Sequence, residues 1–167
     1  MLAFIPNPHR GEGDRILIEV AQRLTEVGVA VAGVVQINTE IGSDRPCLMD
    51  LCILGDGSRI RISQSLGLFS SGCRLNPAGL EDAVGRVEST MLLGGPQILI
   101  LNKFGKAEIE GRGFRQLIGQ VLATGVPVLT SVSEKNQAGF DDFAQGAATA
   151  LPADEACVIQ WCLSHIG

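Results

Sequence analysis

The segment Gln97-Ile-Leu-Ile-Leu-Asn-Lys-Phe-Gly-Lys-Ala-Glu-Ile-Glu-Gly-Arg-Gly-Phe114 constrains the fold of this chain more than any other. An unbroken apolar run, Ile98 to Leu101, ends in Asn102 and Lys103, and an apolar pattern at helical spacing begins at Phe114. A strand that is apolar on both faces needs cover on both faces, the situation of a parallel sheet flanked by helices. Open α/β sheets bind ligands at the carboxyl ends of their strands, so polar groups delivered directly after the run mark a place for function.

The same alternation recurs along the chain. Residues 2–5 read as a short buried strand closed by Pro6-Asn7-Pro8, and Gly11-Glu-Gly-Asp14 reads as a glycine loop with Asp14 as helix cap. Ile16, Leu17, Val20, Ala21, Leu24 and Val27 then recur at helical spacing up to Gly28. Residues 29–36 predict a second buried strand, and 47–54 with 59–64 predict a β-hairpin around Gly55-Asp-Gly-Ser58. In that hairpin Arg59, Arg61 and Ser63 alternate with Ile60 and Ile62, as on a half-exposed edge. Asn76-Pro77 has the form of a cap followed by proline at the first helical position. Residues 126–132 predict another strand, Phe140, Phe143 and Ala147 a helix, and Asp154 the cap of a last helix. The expected fold is α/β: a doubly wound, mostly parallel sheet with helices on both faces and an inserted β-hairpin, forming a single domain over residues 1–167.

Composition narrows the function classes. Hydrophobic residues are 46% and charged residues 19% of the 167, which excludes disorder. A net charge of -5, with no basic run, no tyrosine and few aromatics, argues against nucleic acid as a partner. No stretch approaches the roughly 18 to 20 apolar residues of a membrane span, so a cytoplasmic protein is expected. Of the five cysteines, Cys47 and Cys52 are five apart, as are Cys157 and Cys162. Neither pair has metal-binding spacing, so reduced structural thiols and no metal site are expected. The exposed edge at 59–64 suits pairing with another copy, which makes a homo-oligomer an expectation.

The first strand, glycine loop and helix share the layout of a phosphate-binding loop, which aims backbone N–H groups at phosphate oxygens. The working motif is G-x-x-x-x-G-K-[ST]. Here Pro8 stands at the first glycine, Gly13 at the second, Asp14 at the lysine and Arg15 at the hydroxyl. An ordinary strand-to-helix turn explains the same residues. In nucleotide hydrolases of this layout an acid ends a buried strand and supports magnesium. Asn102 and Lys103 occupy that place, so ordinary ATP hydrolysis is not expected. The two changes exchange charge, which leads to the expectation of an Asp14–Lys103 ion pair. Lys103, Lys106, Glu108, Glu110 and Arg112 read either as a ligand rim or as a solvated charge run. Ser70-Ser-Gly-Cys-Arg74 reads either as an anion nest or as a plain turn, and Cys73 beside Arg74 as a candidate reactive thiol. His9 and His165 are expected to face solvent.

Several phrases together, Gly33-Val-Val-Gln36, Ile62-Ser-Gln-Ser-Leu-Gly67, Ser71-Gly-Cys-Arg-Leu-Asn-Pro77, Asn102-Lys-Phe-Gly-Lys-Ala-Glu108 and Gly125-Val-Pro-Val-Leu-Thr130, resemble a bacterial family catalogued as a domain of unknown function. Its members are often encoded beside molybdate-transport genes. The family is similar in turn to P-loop nucleoside-triphosphatases carrying an Asp-Glu-Ile-Gly-Lys-Met-Glu phrase. Gly105, Lys106 and Glu108 match that phrase, whereas Asn102 and Lys103 replace its two acids. The resemblance implies a P-loop-like fold with degenerate motifs and a link to molybdenum metabolism.

The expected function is binding of a small anionic ligand, a nucleotide or an oxyanion (phosphate, sulfate or molybdate), without hydrolysis. Its contacts are expected among Gly11, Gly13, Asp14, Ser71, Gly72, Arg74, Asn102, Lys103, Lys106 and Glu108. The alternatives are a nucleoside triphosphatase or phosphotransferase with an unusual active site, and a thiol-dependent site at Cys73.

Overall fold

A computed structural model describes residues 1–7, 11–41, 47–64 and 75–167. In chain order the elements are β1 (Leu2–Asn7), α1 (Glu12–Glu26), β2 (Val31–Thr39), β3 (Leu48–Leu54), β4 (Arg59–Arg61), α2 (Pro77–Leu92), β5 (Ile98–Leu101), α3 (Lys106–Ile109), α4 (Arg115–Ala123), β6 (Val128–Ser133), α5 (Gln137–Ala144), β7 (Ala148–Ala150) and α6 (Glu155–His165). A 3-10 turn, Glu134–Asn136, leads from β6 into α5.

The strands form one sheet in the order β4-β3-β2-β5-β6-β1-β7. From β2 to β7 neighbours run parallel, and β3 and β4 extend the β2 edge as an antiparallel meander. The expected hairpin is therefore present, with Asp50 opposite Arg61 and positive φ at Gly55 and Gly57 in its turn. Ser63 differs from expectation. It is buried, and its Oγ accepts the Met49 N–H at 3.0 Å, so the chain past β4 folds inward instead of presenting an alternating edge.

Alternation along the strands sends side chains to two separate layers. Leu99 and Leu101 of β5 join Leu2, Phe4, Val34, Ala83, Val87, Ile118 and Phe140 on the face covered by α2, α4 and α5. Ile98 and Ile100 join Ala3, Ile5, Ile16, Val20 and Val158 under α1 and α6. The two-sided apolar run is thus buried on both sides.

Helix ends follow local chemistry where a side chain can reach. Asn76 accepts from the Ala78 N–H at 3.1 Å with Pro77 at the first position, and Asp154 accepts from the Cys157 N–H at 2.9 Å. Asp14 does not cap α1. The cap is Gly11, at φ +83°, and Asp14 sits in the first turn. Helix α5 stops at Ala144 because Gln145 turns left-handed at φ +48°. Ala147 therefore lies outside the helix, and β7, unread in the sequence because Ala-Thr-Ala lacks a β signature, follows it. Among the described residues no helix is long and apolar enough to cross a membrane, and Cys52, Cys157 and Cys162 are reduced thiols.

Candidate functional site at the carboxyl edge

Strand β2 is longer than β5. Val34 pairs with Leu101, the last residue of β5, so Gln36 and Asn38 project beyond it on one face of the overhang. Asn102 rises beside them. It is 3% exposed and Gln36 4%, and their amides close on each other. The Gln36 N–H donates to Asn102 Oδ1 at 3.1 Å, and Asn102 Nδ2 donates to Gln36 Oε1 at 3.2 Å. Gln36 Nε2 donates to Asn38 Oδ1 at 2.7 Å, and Asn38 Nδ2 donates to Asp14 Oδ2 at 3.0 Å.

This relay has a direction fixed from both ends. An ionised Asp14 can only accept, and the Gln36 backbone N–H can only donate. Reversing any amide would set two donors or two acceptors face to face. The relay ties α1, β2 and the end of β5 together, and the Ser131 hydroxyl adds β6 by donating to the Asn102 carbonyl at 2.6 Å.

The expected Asp14–Lys103 ion pair is not formed. Asp14 takes Asn38, because the overhang of β2 carries that amide to α1, and Lys103 is exposed without an ion-pair partner among the described residues. Gly13 is also committed inward. Its N–H donates to Asn7 Oδ1 at 3.3 Å, and a Cβ there would stand 2.8 Å from Asn7 Nδ2 and 3.0 Å from Ser131 Oγ. Glycine at this position lets α1 start against the ends of β1 and β6.

Glu108 is 4% exposed and staples the connection between β5 and α4. Its Oε2 accepts the Gly105 N–H at 2.9 Å and its Oε1 the Phe114 N–H at 3.2 Å. Burial pushes its carboxyl above the ordinary value, opposed by those two N–H groups and by the nearby charge of Lys103. Phe104 anchors the same connection, packing on Phe140 and Phe143 with ring centroids 5.2 and 5.0 Å away. Lys106 points outward, 3.6 Å from Glu110 Oε1. Ser71, Gly72, Cys73 and Arg74 lie outside the described residues, as do Pro8 and His9.

Of the sequence-predicted residues, Gly11, Gly13, Asp14, Asn102 and Lys103 thus gather at the carboxyl edge, with Glu108 beneath them. Sequence reasoning missed Asn7, Gln36, Asn38 and Ser131. The polar ending of the Val-Val-Gln run was a visible signal, but pairing it with Asn102 requires the strand order. Two open grooves lie elsewhere, against α2. Their charges are largely paired internally, with Arg86 on Asp82, Arg112 on Glu110, and Glu81 on the Gly113 N–H. Among the described residues no cluster is suited to a metal ion.

Asn102→Asp is expected to destabilise the protein by about 1–3 kcal/mol, because the new carboxylate would face Gln36 Oε1 in a buried site. Urea denaturation of the variant against wild type measures this.

A family-wide sequence profile matches residues 2–161. The chain belongs to that family, described as a protein of unknown function (DUF2478). Among curated proteins, this DUF2478 chain is 35% identical over 148 residues to molybdenum import ATP-binding protein ModC 2 of Bradyrhizobium diazoefficiens. The match covers 89% of the chain but only 16% of that relative's length. Among solved structures, the chain is similar to the solution structure of a human cancer-related nucleoside triphosphatase, with a TM-score of 0.67 at 16% identity. The likeness covers 98% of this chain and 93% of that one. The DUF2478 chain therefore has a P-loop nucleoside-triphosphatase-like fold.

Proposed function

We propose that this chain is a non-hydrolysing anion-binding domain that holds a nucleotide phosphate or an oxyanion at the carboxyl edge of its sheet. The observation that carries the proposal is the Asp14–Asn38–Gln36–Asn102 relay. Its two ends, Asp14 and Asn102, stand at the motif positions where a hydrolase of this fold keeps its phosphate lysine and its magnesium-supporting acid. Without those groups, the chemistry that stabilises charge on a transferring phosphoryl group is missing. The residues that still match the hydrolase phrase support the same reading. Gly105 and Glu108 bond to each other and hold the loop, so they preserve shape without supplying a reacting group.

The relative's name joins ATP binding to molybdenum import, and a part in molybdenum handling belongs to the proposal. The chain spans 16% of that relative, so the role is that of one α/β domain. It would work in the cytoplasm, with a small anion and not nucleic acid as its partner.

Titration calorimetry with ATP, ADP, phosphate, sulfate and molybdate, in a chelator that removes magnesium, tests this. At least one anion is expected to bind, and no phosphate should be released from ATP when magnesium is restored. Magnesium-dependent phosphate release, or no binding of any of these anions, would overturn it.

A further inference from the structure

Strand order sets β6 between β1 and β5, so three strand ends frame the centre of the carboxyl edge. Among the described residues, the start of α1 that follows β1 is poorly suited to an anion. Glu12 and Asp14 stand in the first turn of α1, and the Gly13 N–H is already taken by Asn7. The other two ends carry lysines: Lys103 follows β5 and Lys135 follows β6. Both are exposed, and neither lies within 4.0 Å of a carboxylate among the described residues. Arg15, Arg61, Arg86, Lys106 and Arg112, by contrast, each have a carboxylate partner.

The two lysine-bearing loops run side by side. The Phe104 N–H donates to the Ser131 carbonyl at 2.9 Å, and a Cβ on Gly105 would lie 3.9 Å from Asn136 Nδ2. Asn136 Nδ2 in turn donates to Ser133 Oγ at 3.0 Å, which leaves the Ser133 hydroxyl its own proton to give. Two carboxylates oppose an anion here. Glu134 shares the turn with Lys135, and Glu108 lies buried behind Lys103. Two unpaired cations on adjoining loops, offset by these carboxylates, favour a doubly charged ligand over a singly charged one.

We infer that the anion of the reading above, on which this inference rests, is clasped between the ends of β5 and β6 by Lys103 and Lys135, with the Ser133 hydroxyl as a third donor, and not by Gly13 and Asp14 at the start of α1. Its chemical class is a tetrahedral dianion, either a free oxyanion or the terminal phosphate of a nucleotide. The inference shifts the contacts away from Gly13 and Asp14 and adds a lysine that no motif signals.

Calorimetry with inorganic phosphate, sulfate, molybdate and ADP on wild type, Lys103→Ala, Lys135→Ala and Arg86→Ala tests the placement. Each lysine variant should weaken the tightest anion by about tenfold, the loss of one charge-assisted hydrogen bond, while Arg86→Ala binds like wild type. Both lysines are exposed, so the far-ultraviolet circular dichroism of the variants should match wild type. Binding by wild type that neither lysine substitution weakens, or that only one weakens, overturns the clasp and leaves the functional reading standing. No anion binding by wild type overturns both. Tighter binding of free oxyanions than of ADP would identify the ligand as the oxyanion itself.

Discussion

Gly33→Ala is expected to abolish cooperative folding or to cost on the order of 4 kcal/mol or more, a large part of the roughly 5–15 kcal/mol that holds a domain together. Gly33 sits within β2 at φ +122°, paired with Ile100 on one side and Leu54 on the other. A Cβ there would stand 1.8 Å from the Ile100 carbonyl oxygen. That oxygen is backbone in the middle of the sheet, so it cannot swing aside as a side chain would. The residue would have to leave the left-handed half of the map as well as the contact. Chemical denaturation followed by circular dichroism measures the loss. Gly85→Ala is the control: it lies on exposed helix surface with no atom within 4 Å of a new Cβ, and should be neutral or stabilising by up to about 1 kcal/mol. If Gly33→Ala unfolds at the wild-type urea concentration, the close approach of β2 to β5 is wrong.

Glu108→Ala should be the next most damaging change, at about 2–5 kcal/mol, because it orphans the buried N–H groups of Gly105 and Phe114 together. Glu108→Gln keeps one acceptor but turns an amide N–H2 toward the other donor, so it should cost less. The two variants also separate in pH dependence. Burial raises the Glu108 carboxyl, so the folded chain keeps its proton at pH values where the unfolded chain has lost it. The contribution of this group to stability is fully present below the unfolded value and declines as pH rises through the raised folded one. Wild type should therefore lose stability relative to Glu108→Gln as pH rises above 4.5, the ordinary value for this carboxyl, read from urea midpoints across a pH series. A difference between the two that stays constant with pH would show that Glu108 titrates normally.

The comparison of sequence and structure is clearest along β5. Ile98 to Leu101, apolar at every position, implies burial on both faces, and the two packed layers realise it. The hairpin turn and the caps at Asn76 and Asp154 were equally legible, since each depends on residues within a few positions of one another. The short strand β7 was not. Three small residues carry no pattern, and only pairing with β1 makes them a strand.

The candidate site divides in the same way. Charge exchange at Asp14 and Asn102–Lys103, relative to the nucleotide-hydrolase pattern, was visible in the sequence. The partners were not visible. A direct Asp14–Lys103 pair was the simplest inference, yet Asn38 reaches Asp14 first because β2 overhangs β5. Gly13, Asn102 and Glu108 looked like ligand contacts and are engaged by Asn7, Gln36 and two backbone N–H groups.

By itself, then, the sequence determined the α/β alternation and the polar ending of the buried strand β5, because each is written in local periodicity or residue type. Only the tertiary structure decided which polar groups face each other and which remain outward. That outcome depends on strand order and on the unequal lengths of neighbouring strands. These bring residues 66 positions apart, Gln36 and Asn102, into contact, and they leave Lys103 and Lys135 on adjoining loops.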